Sequence, residues 1–246
     1  MSVLFCCCRG GVGTSEDPNE RQPLLHPNLT ESDKPESARK ARPATRVSRS
    51  GQLVQKRVGV NVLDQRFSDV ADTFNQQHES YNVLKERITS LLCTFDCNHD
   101  SRLSLNECMR KIKKEYEDSY RVTMVIKGYD FSLSVVPLKS ASEVEEYLPP
   151  RLRLAQEELR SISHCAKAIS AAGTKLQELI DWLLNMGEQM VEQVREVATT
   201  HQERCRLEEN LAENIQEVRR ARELSLGYRQ QAGEVQNEAA QIAGLT

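Results

Sequence analysis

The chain of 246 residues is short of aromatic side chains, at 5%, and holds a single tryptophan. With 39% hydrophobic and 28% charged residues, it lacks the material for a large compact enzyme core. That balance favours exposed helices and some disorder. No run approaches the ~20 apolar residues that span a bilayer, so no transmembrane helix is expected. Neither sign of charge dominates: 33 Lys and Arg against 36 Asp and Glu leave a net charge of -3. A dedicated nucleic-acid binder would carry a basic excess. Catalytic signatures are missing as well: there is no glycine-rich phosphate loop, no nucleophile elbow and no zinc-binding histidine pair on a helix. His164 and His201 have no acidic or serine neighbour that spacing nominates. The expectation is a protein that is not an enzyme.

Paired cysteine spacing of the kind found in small secreted scaffolds is also lacking. The eight cysteines stand at 6, 7, 8, 93, 97, 108, 165 and 205. Three are consecutive and the rest are scattered, which suits a reducing cytosol rather than a disulfide framework. The apolar start is too short and has no basic lead for a signal peptide. In the cytosol the sequon at Asn28 is meaningless. Cys6, Cys7 and Cys8 behind Val3-Leu4-Phe5 instead look like an S-acylation cluster. Ser2 excludes the N-myristoyl motif. Each buried methylene of a fatty chain contributes about 0.8 kcal/mol, so two or three acyl chains would anchor the protein stably.

Five of the eight prolines fall at 18, 23, 27, 35 and 43. Residues 1–57 therefore read as a disordered tail. Arg39, Lys40, Arg42, Arg46, Arg49, Lys56 and Arg57 follow one another with no acid between them, and near anionic lipid each is worth up to ~1 kcal/mol. Phosphorylation of Ser48 or Ser50 would weaken that attraction. Glu20, Leu24 and Leu25 fit the acidic dileucine pattern read by endosomal clathrin adaptors. A cysteine cluster followed by an acidic dileucine segment is similar in layout to the lysosomal anchor subunit of the Ragulator complex. The similarity covers only the first 25 residues. It implies the cytosolic side of late endosomal or lysosomal membranes, with the Golgi as the alternative.

From residue 58 the pattern changes. Leu63, Phe67, Val70, Phe74, Tyr81, Leu84, Ile88, Leu91 and Phe95 recur at spacings of three and four, with Gln77 alone breaking the row. This predicts one helix of about nine turns with a single apolar stripe. Asp96-Cys97-Asn98-His99-Asp100-Ser101 is turn chemistry, and a short helix follows over about 104–118. Tyr120–Lys127 and Phe131–Val136 are β-branched runs around Gly128-Tyr129-Asp130, a β-hairpin within 120–139.

The last segment, 140–246, has no proline from Arg151 onward. One heptad register runs from Leu152 through Leu159, Ile169, Leu183, Met190, Leu211 and Val218, with gaps at Gly173, Gly187, His201, Arg204 and Glu208. It reads as a long coiled-coil helix of about 135 Å, with Gly173 as the place where two antiparallel helices would otherwise meet. Beside the seam stand Cys165, Ala172, Leu179, Leu184, Met186, Val191, Ala198, Cys205, Leu207 and Ala212, where a two-stranded coil would carry charge. Such a broad face asks for three or four helices, supplied in part by self-association or by other helical or coiled-coil proteins. Trp182 reads as an interface anchor. The fold class is mainly α: long helices in a coiled coil or bundle, with a small hairpin.

The segment Asp96-Cys-Asn98-His-Asp100-Ser-Arg102-Leu-Ser104-Leu-Asn-Glu107 resembles an EF-hand calcium loop. The resemblance, over about 30 residues around 58–119, implies oxygen ligands for calcium from Asp96, Asn98, Asp100, the Arg102 carbonyl, Ser104 and a bidentate Glu107. Ser101 departs from the family's glycine at the sharp turn, and no second loop of the kind exists to pair with. A rival set of zinc ligands, Cys93, Cys97, His99 and Cys108, has a spacing that matches no familiar zinc module.

Three functions follow. The first is a membrane-tethered coiled-coil scaffold or adaptor that assembles with other helical subunits. The second is a calcium sensor regulating helix-mediated partner binding, and the third a soluble cytoskeletal or centrosomal coiled-coil protein.

Overall fold

The computed structural model describes residues 51–97, 105–138 and 148–244. The apolar stripe that opens the folded region forms α1 (Asn61–Thr94). It ends where Asp96 takes a positive φ of 50°. Helix α2 (Leu105–Tyr116) follows, burying Cys108, Met109 and Ile112 and turning its basic face outward. Strands β1 (Tyr120–Lys127) and β2 (Asp130–Pro137) pair antiparallel, with Lys127 opposite Asp130. The hairpin loop is therefore Gly128-Tyr129. Gly128 alone carries the positive φ, 64°, which is the arrangement of a type II′ turn.

The expected continuous helix over 140–246 is instead three helices. Helix α3 (Pro150–Asn185) runs straight through Gly173 and pauses at Met186 before Gly187. Helix α4 (Gly187–Val197) continues it, and the chain then reverses at Ala198-Thr199-Thr200 into α5 (His201–Ala243). The reversal has a local cause. Thr200 accepts from the Glu203 amide, while the Glu203 carboxylate accepts from the Thr199 amide and hydroxyl. These bonds satisfy the free donors of a new helix start. The cluster of seam gaps at His201, Arg204 and Glu208 sits beside that reversal.

Helices α1, α3 and α5 form an up-down-up bundle. Gln77 and Ser90 of α1 meet Ile169 and Glu158 of α3, so those two helices are antiparallel. Arg222 of α5 pairs with Asp181 of α3, and Arg195 of α4 with Glu208 of α5, so α5 runs back along both. His78 and Tyr81 of α1 meet Tyr228 and Gln231 of α5 in parallel. Every heptad-seam residue from Leu152 to Met190 that is a leucine, isoleucine or methionine is buried between these helices. The chain's own fold thus supplies three of the helices that the broad apolar face required. Of the flanking residues, Cys165 and Leu207 are buried, and Leu179, Leu184, Met186, Val191 and Ala198 pack against the core. Trp182 is engaged within the chain, under the Arg66 guanidinium at 5.0 Å.

Two further pieces complete the body. The hairpin lies on α3 and α5: Phe131 N–H donates to Ser163 Oγ, and Gln156 Nε2 donates to the Leu133 carbonyl. Residues 51–58, read from sequence mostly as tail, are packed, with Val58 fully buried and Leu53 nearly so. Asn75 and Asn214 each clamp one residue of this strap, accepting from its N–H and donating to its carbonyl, at Leu53 and Lys56 respectively. An asparagine amide facing an extended peptide satisfies both backbone groups as a neighbouring strand would. Gly59, with φ 80°, then turns the strap into α1.

A half-filled groove as candidate functional site

The α3–α4–α5 hairpin has two faces. Helix α1 covers one, packing on α3 and α5. On the other face, the residues of α3 that hold the β-hairpin, Gln156 and Ser163, continue in steps of seven through Ser170 and Gln177 to Leu184 and Val191. The same stripe is therefore covered at one end of the bundle and open at the other. The open half is a groove of about 400 Å³ between α3, α4 and α5. Its floor is apolar, made of Leu183, Met190, Leu211 and Ile215, with Gly187 and Ala212 leaving the walls low.

The rim is charged and ordered. Arg195 Nε donates to Glu208 at 2.7 Å and Nη1 to Glu192 at 3.1 Å, ties that raise the guanidinium's already high pKa. Arg219 stands at the far end, exposed, and forms no ion pair among the described residues. From Leu183 to Arg195 the groove is about 18 Å long at 1.5 Å per residue, the length of a helix of about 12 residues. An apolar floor between two helices with a charged rim suits the apolar face of a third. Leu184, Val191 and Ala212 were marked by the sequence as out of place on a two-stranded coil, and all three line this groove.

The other sequence-derived sites fall differently. Cys6, Cys7, Cys8, Glu20, Leu24 and Leu25 lie outside the described residues, as do Arg39, Lys40, Arg42, Arg46 and Arg49 of the basic run. Lys56 of that run is paired with Glu213 at 2.6 Å. Of the calcium-loop residues, Asn98, Asp100, Arg102 and Ser104 lie outside the described residues; Asp96 and Glu107 bracket them. The Lys111 ammonium donates to the Asp96 carbonyl at 2.6 Å, and Glu107 stands in the first turn of α2.

Of the rival zinc ligands, Cys93 is exposed, Cys97 and Cys108 are buried, and His99 is outside the described residues. Burial, and then the neighbouring Cys97, push the Cys108 thiol far above its ordinary range. No three His, Cys, Asp or Glu side chains among the described residues gather as a metal site. No helix among them is long and apolar enough to cross a membrane.

Sequence reasoning did not find the strap clamps Asn75 and Asn214, because an asparagine within a helical pattern carries no periodic signal. It also missed the pair between His78 Nδ1 and the Tyr228 hydroxyl, 2.9 Å apart across 150 residues. No family model, no curated protein and no solved structure matches this chain.

Proposed function

We propose that this protein is a non-enzymatic adaptor on the cytosolic face of late endosomal, lysosomal or Golgi membranes. Acylated Cys6, Cys7 and Cys8 hold it there, helped by the basic residues of the 39–57 segment. Glu20, Leu24 and Leu25 offer themselves to clathrin adaptors. The folded body presents its open groove to an amphipathic helix of another protein. The observation that carries this reading is the half-filled stripe on α3 and α4: the hairpin occupies its polar end, and the apolar end at Leu184 and Val191 has no covering element among the described residues. The partner helix would carry apolar residues at i, i+3, i+4 and i+7, with an acid placed to reach Arg219.

Proximity labelling of the full chain tests both halves. Changing Cys6, Cys7 and Cys8 to Ser should release the protein from membranes and empty the labelled set of membrane proteins. Val191→Arg with Ala212→Glu should remove the helical partner while leaving the membrane neighbours in place. A labelled set indifferent to all five changes would refute the proposal.

A second reading, calcium sensing, has one supporting observation. Helix α1 stops at Thr94 and α2 begins at Leu105. The 96–107 loop thus begins beyond an incoming helix and enters the next at its tenth position, as an EF-hand loop would. Calcium titration of helicity in the native chain and in Asp96→Ala/Glu107→Ala decides it: a response lost in the variant supports a sensor, and no response removes calcium from the account.

A further inference from the structure

On another face of the body, α2 crosses β1 and leaves a shallow depression of about 580 Å³. Arg110, Lys113 and Lys114 of α2 and Arg121 of β1 surround it, and Glu117 is the one acid among its lining residues. All four cations are exposed. Arg110 donates to its own helix neighbour Asn106, and none of the four is tied to a carboxylate among the described residues. Lys56, Arg87, Arg151, Lys167, Arg195 and Arg220 all have acidic partners, and what sets this patch apart from the other unpaired cations is that four of them gather around one depression. Beside the cations, Leu138 is 47% and Val136 is 52% exposed. These two are among the few large aliphatic side chains that the body leaves open to solvent.

We infer that this face is a docking surface for an anionic membrane. The inference rests on the reading of the protein as membrane-associated, but it assigns a contact to the folded body rather than to the acyl chains. Unpaired cations beside protruding aliphatic groups match a lipid surface, where charge meets the headgroups and the apolar tips enter the boundary with the acyl chains. A basic surface for nucleic acid would have no use for Val136 and Leu138, and the chain as a whole is acidic. The chain between Cys8 and Gly51 is long enough, at up to 3.6 Å per residue, for an anchored tail and this face to meet one membrane. Docking would fix which way the open groove points.

The test uses the full chain with Cys6, Cys7 and Cys8 changed to Ser, so that no acyl chain contributes. Its partition is measured by co-sedimentation with phosphatidylcholine vesicles and with phosphatidylcholine–phosphatidylserine vesicles. Each cation held near such a surface strengthens binding about fivefold. Lys113→Gln/Lys114→Gln should therefore lower partition to the anionic vesicles about 25-fold, and Arg110→Gln/Arg121→Gln should do much the same from two different elements. Lys175→Gln/Arg204→Gln, an equal change of charge on exposed residues elsewhere, should have little effect. Leu138→Ser should lower the binding that survives at high salt, where the charge attraction is screened.

Equal losses in the Lys175/Arg204 variant would overturn the inference, because binding would then follow net charge alone. So would unchanged partition in both patch variants, or a single-stranded oligonucleotide that binds as tightly and displaces the vesicles. None of these outcomes touches the acylation of Cys6, Cys7 and Cys8, which the labelling experiment reads separately.

Discussion

Gly173 should resist replacement by the better helix former. In an unencumbered helix, Gly→Ala stabilises by about 1 kcal/mol. Here a Cβ would lie 2.3 Å from Arg229 Cδ and 2.7 Å from Gln77 Nε2. Arg229 can swing outward at the cost of its bond to Gln177, a partly exposed contact worth less than ~1 kcal/mol. Gln77 cannot, because it is fully buried and its Nε2 donates to the Ile169 carbonyl at 3.0 Å, while its Oε1 has no partner among the described residues. Displacing it leaves a second buried polar group unsatisfied, at about 1–3 kcal/mol. Gly173→Ala should therefore cost a net ~1–2 kcal/mol. In a Gln77→Ala background the obstacle is gone, and the same change should be neutral or stabilising by up to ~1 kcal/mol. Urea denaturation of the two single variants and the double variant gives a coupling of about 2 kcal/mol on this account. Stabilisation by Gly173→Ala alone, or a coupling near zero, would refute the reasoning.

Four more outcomes are expected. Asn214→Ala removes both bonds to the Lys56 backbone and should cost about 1–3 kcal/mol, with the 51–58 strap becoming the first site of limited proteolysis. Thr200→Ala should lower stability by about 1 kcal/mol, read as a shift of the thermal midpoint by roughly 2–4 °C in a body of this size, because the cap at the α5 start is lost. In a chain with Cys6, Cys7 and Cys8 changed to Ser, exposed Cys93 and Cys205 should react with a thiol reagent well before Cys108. Since folding raises the Cys108 pKa above its ordinary 9.0, the folded state holds that proton more tightly. The contribution of this thiol should accordingly be level below pH 9 and fall as pH rises beyond it, and Cys108→Ala should remove that part of the alkaline loss of stability.

The elements themselves were legible because each rests on a local pattern. The stripe from Leu63 to Phe95 gave α1, the Gly128 turn gave the hairpin, and the proline-free seam gave the helical character of the last hundred residues. What the seam could not show was direction. Apolar residues at heptad spacing continue on either side of the reversal, but α5 buries Leu207, Leu211, Asn214 and Val218, so Leu211 and Val218 keep their place in the seam while Asn214 takes the one the pattern assigned to Ile215. The signal for the reversal was present, in the capping residues Thr199, Thr200 and Glu203 and in the polar gaps beside them. Gly173 drew attention to the wrong place: a glycine in a seam marks either a turn or a close approach, and only the position of Gln77 on another helix distinguishes the two.

The candidate groove was legible in part, and for a related reason. Side chains too small or too apolar for a two-stranded coil identify a surface that needs more neighbours, but they do not say which neighbours are already present. Helix α1 and the reversed α5 satisfy most of that need within the chain, and the hairpin covers half of what remains. Of those flanking residues, Leu184, Val191 and Ala212 line a groove with nothing over it among the described residues. Its neighbours Leu183 and Met190 are already buried, so an incoming helix has little to add to the stability of the body. A partner should therefore bind a bundle that is folded beforehand, and changing Val191 and Ala212 should alter affinity while leaving the denaturation midpoint nearly where it was.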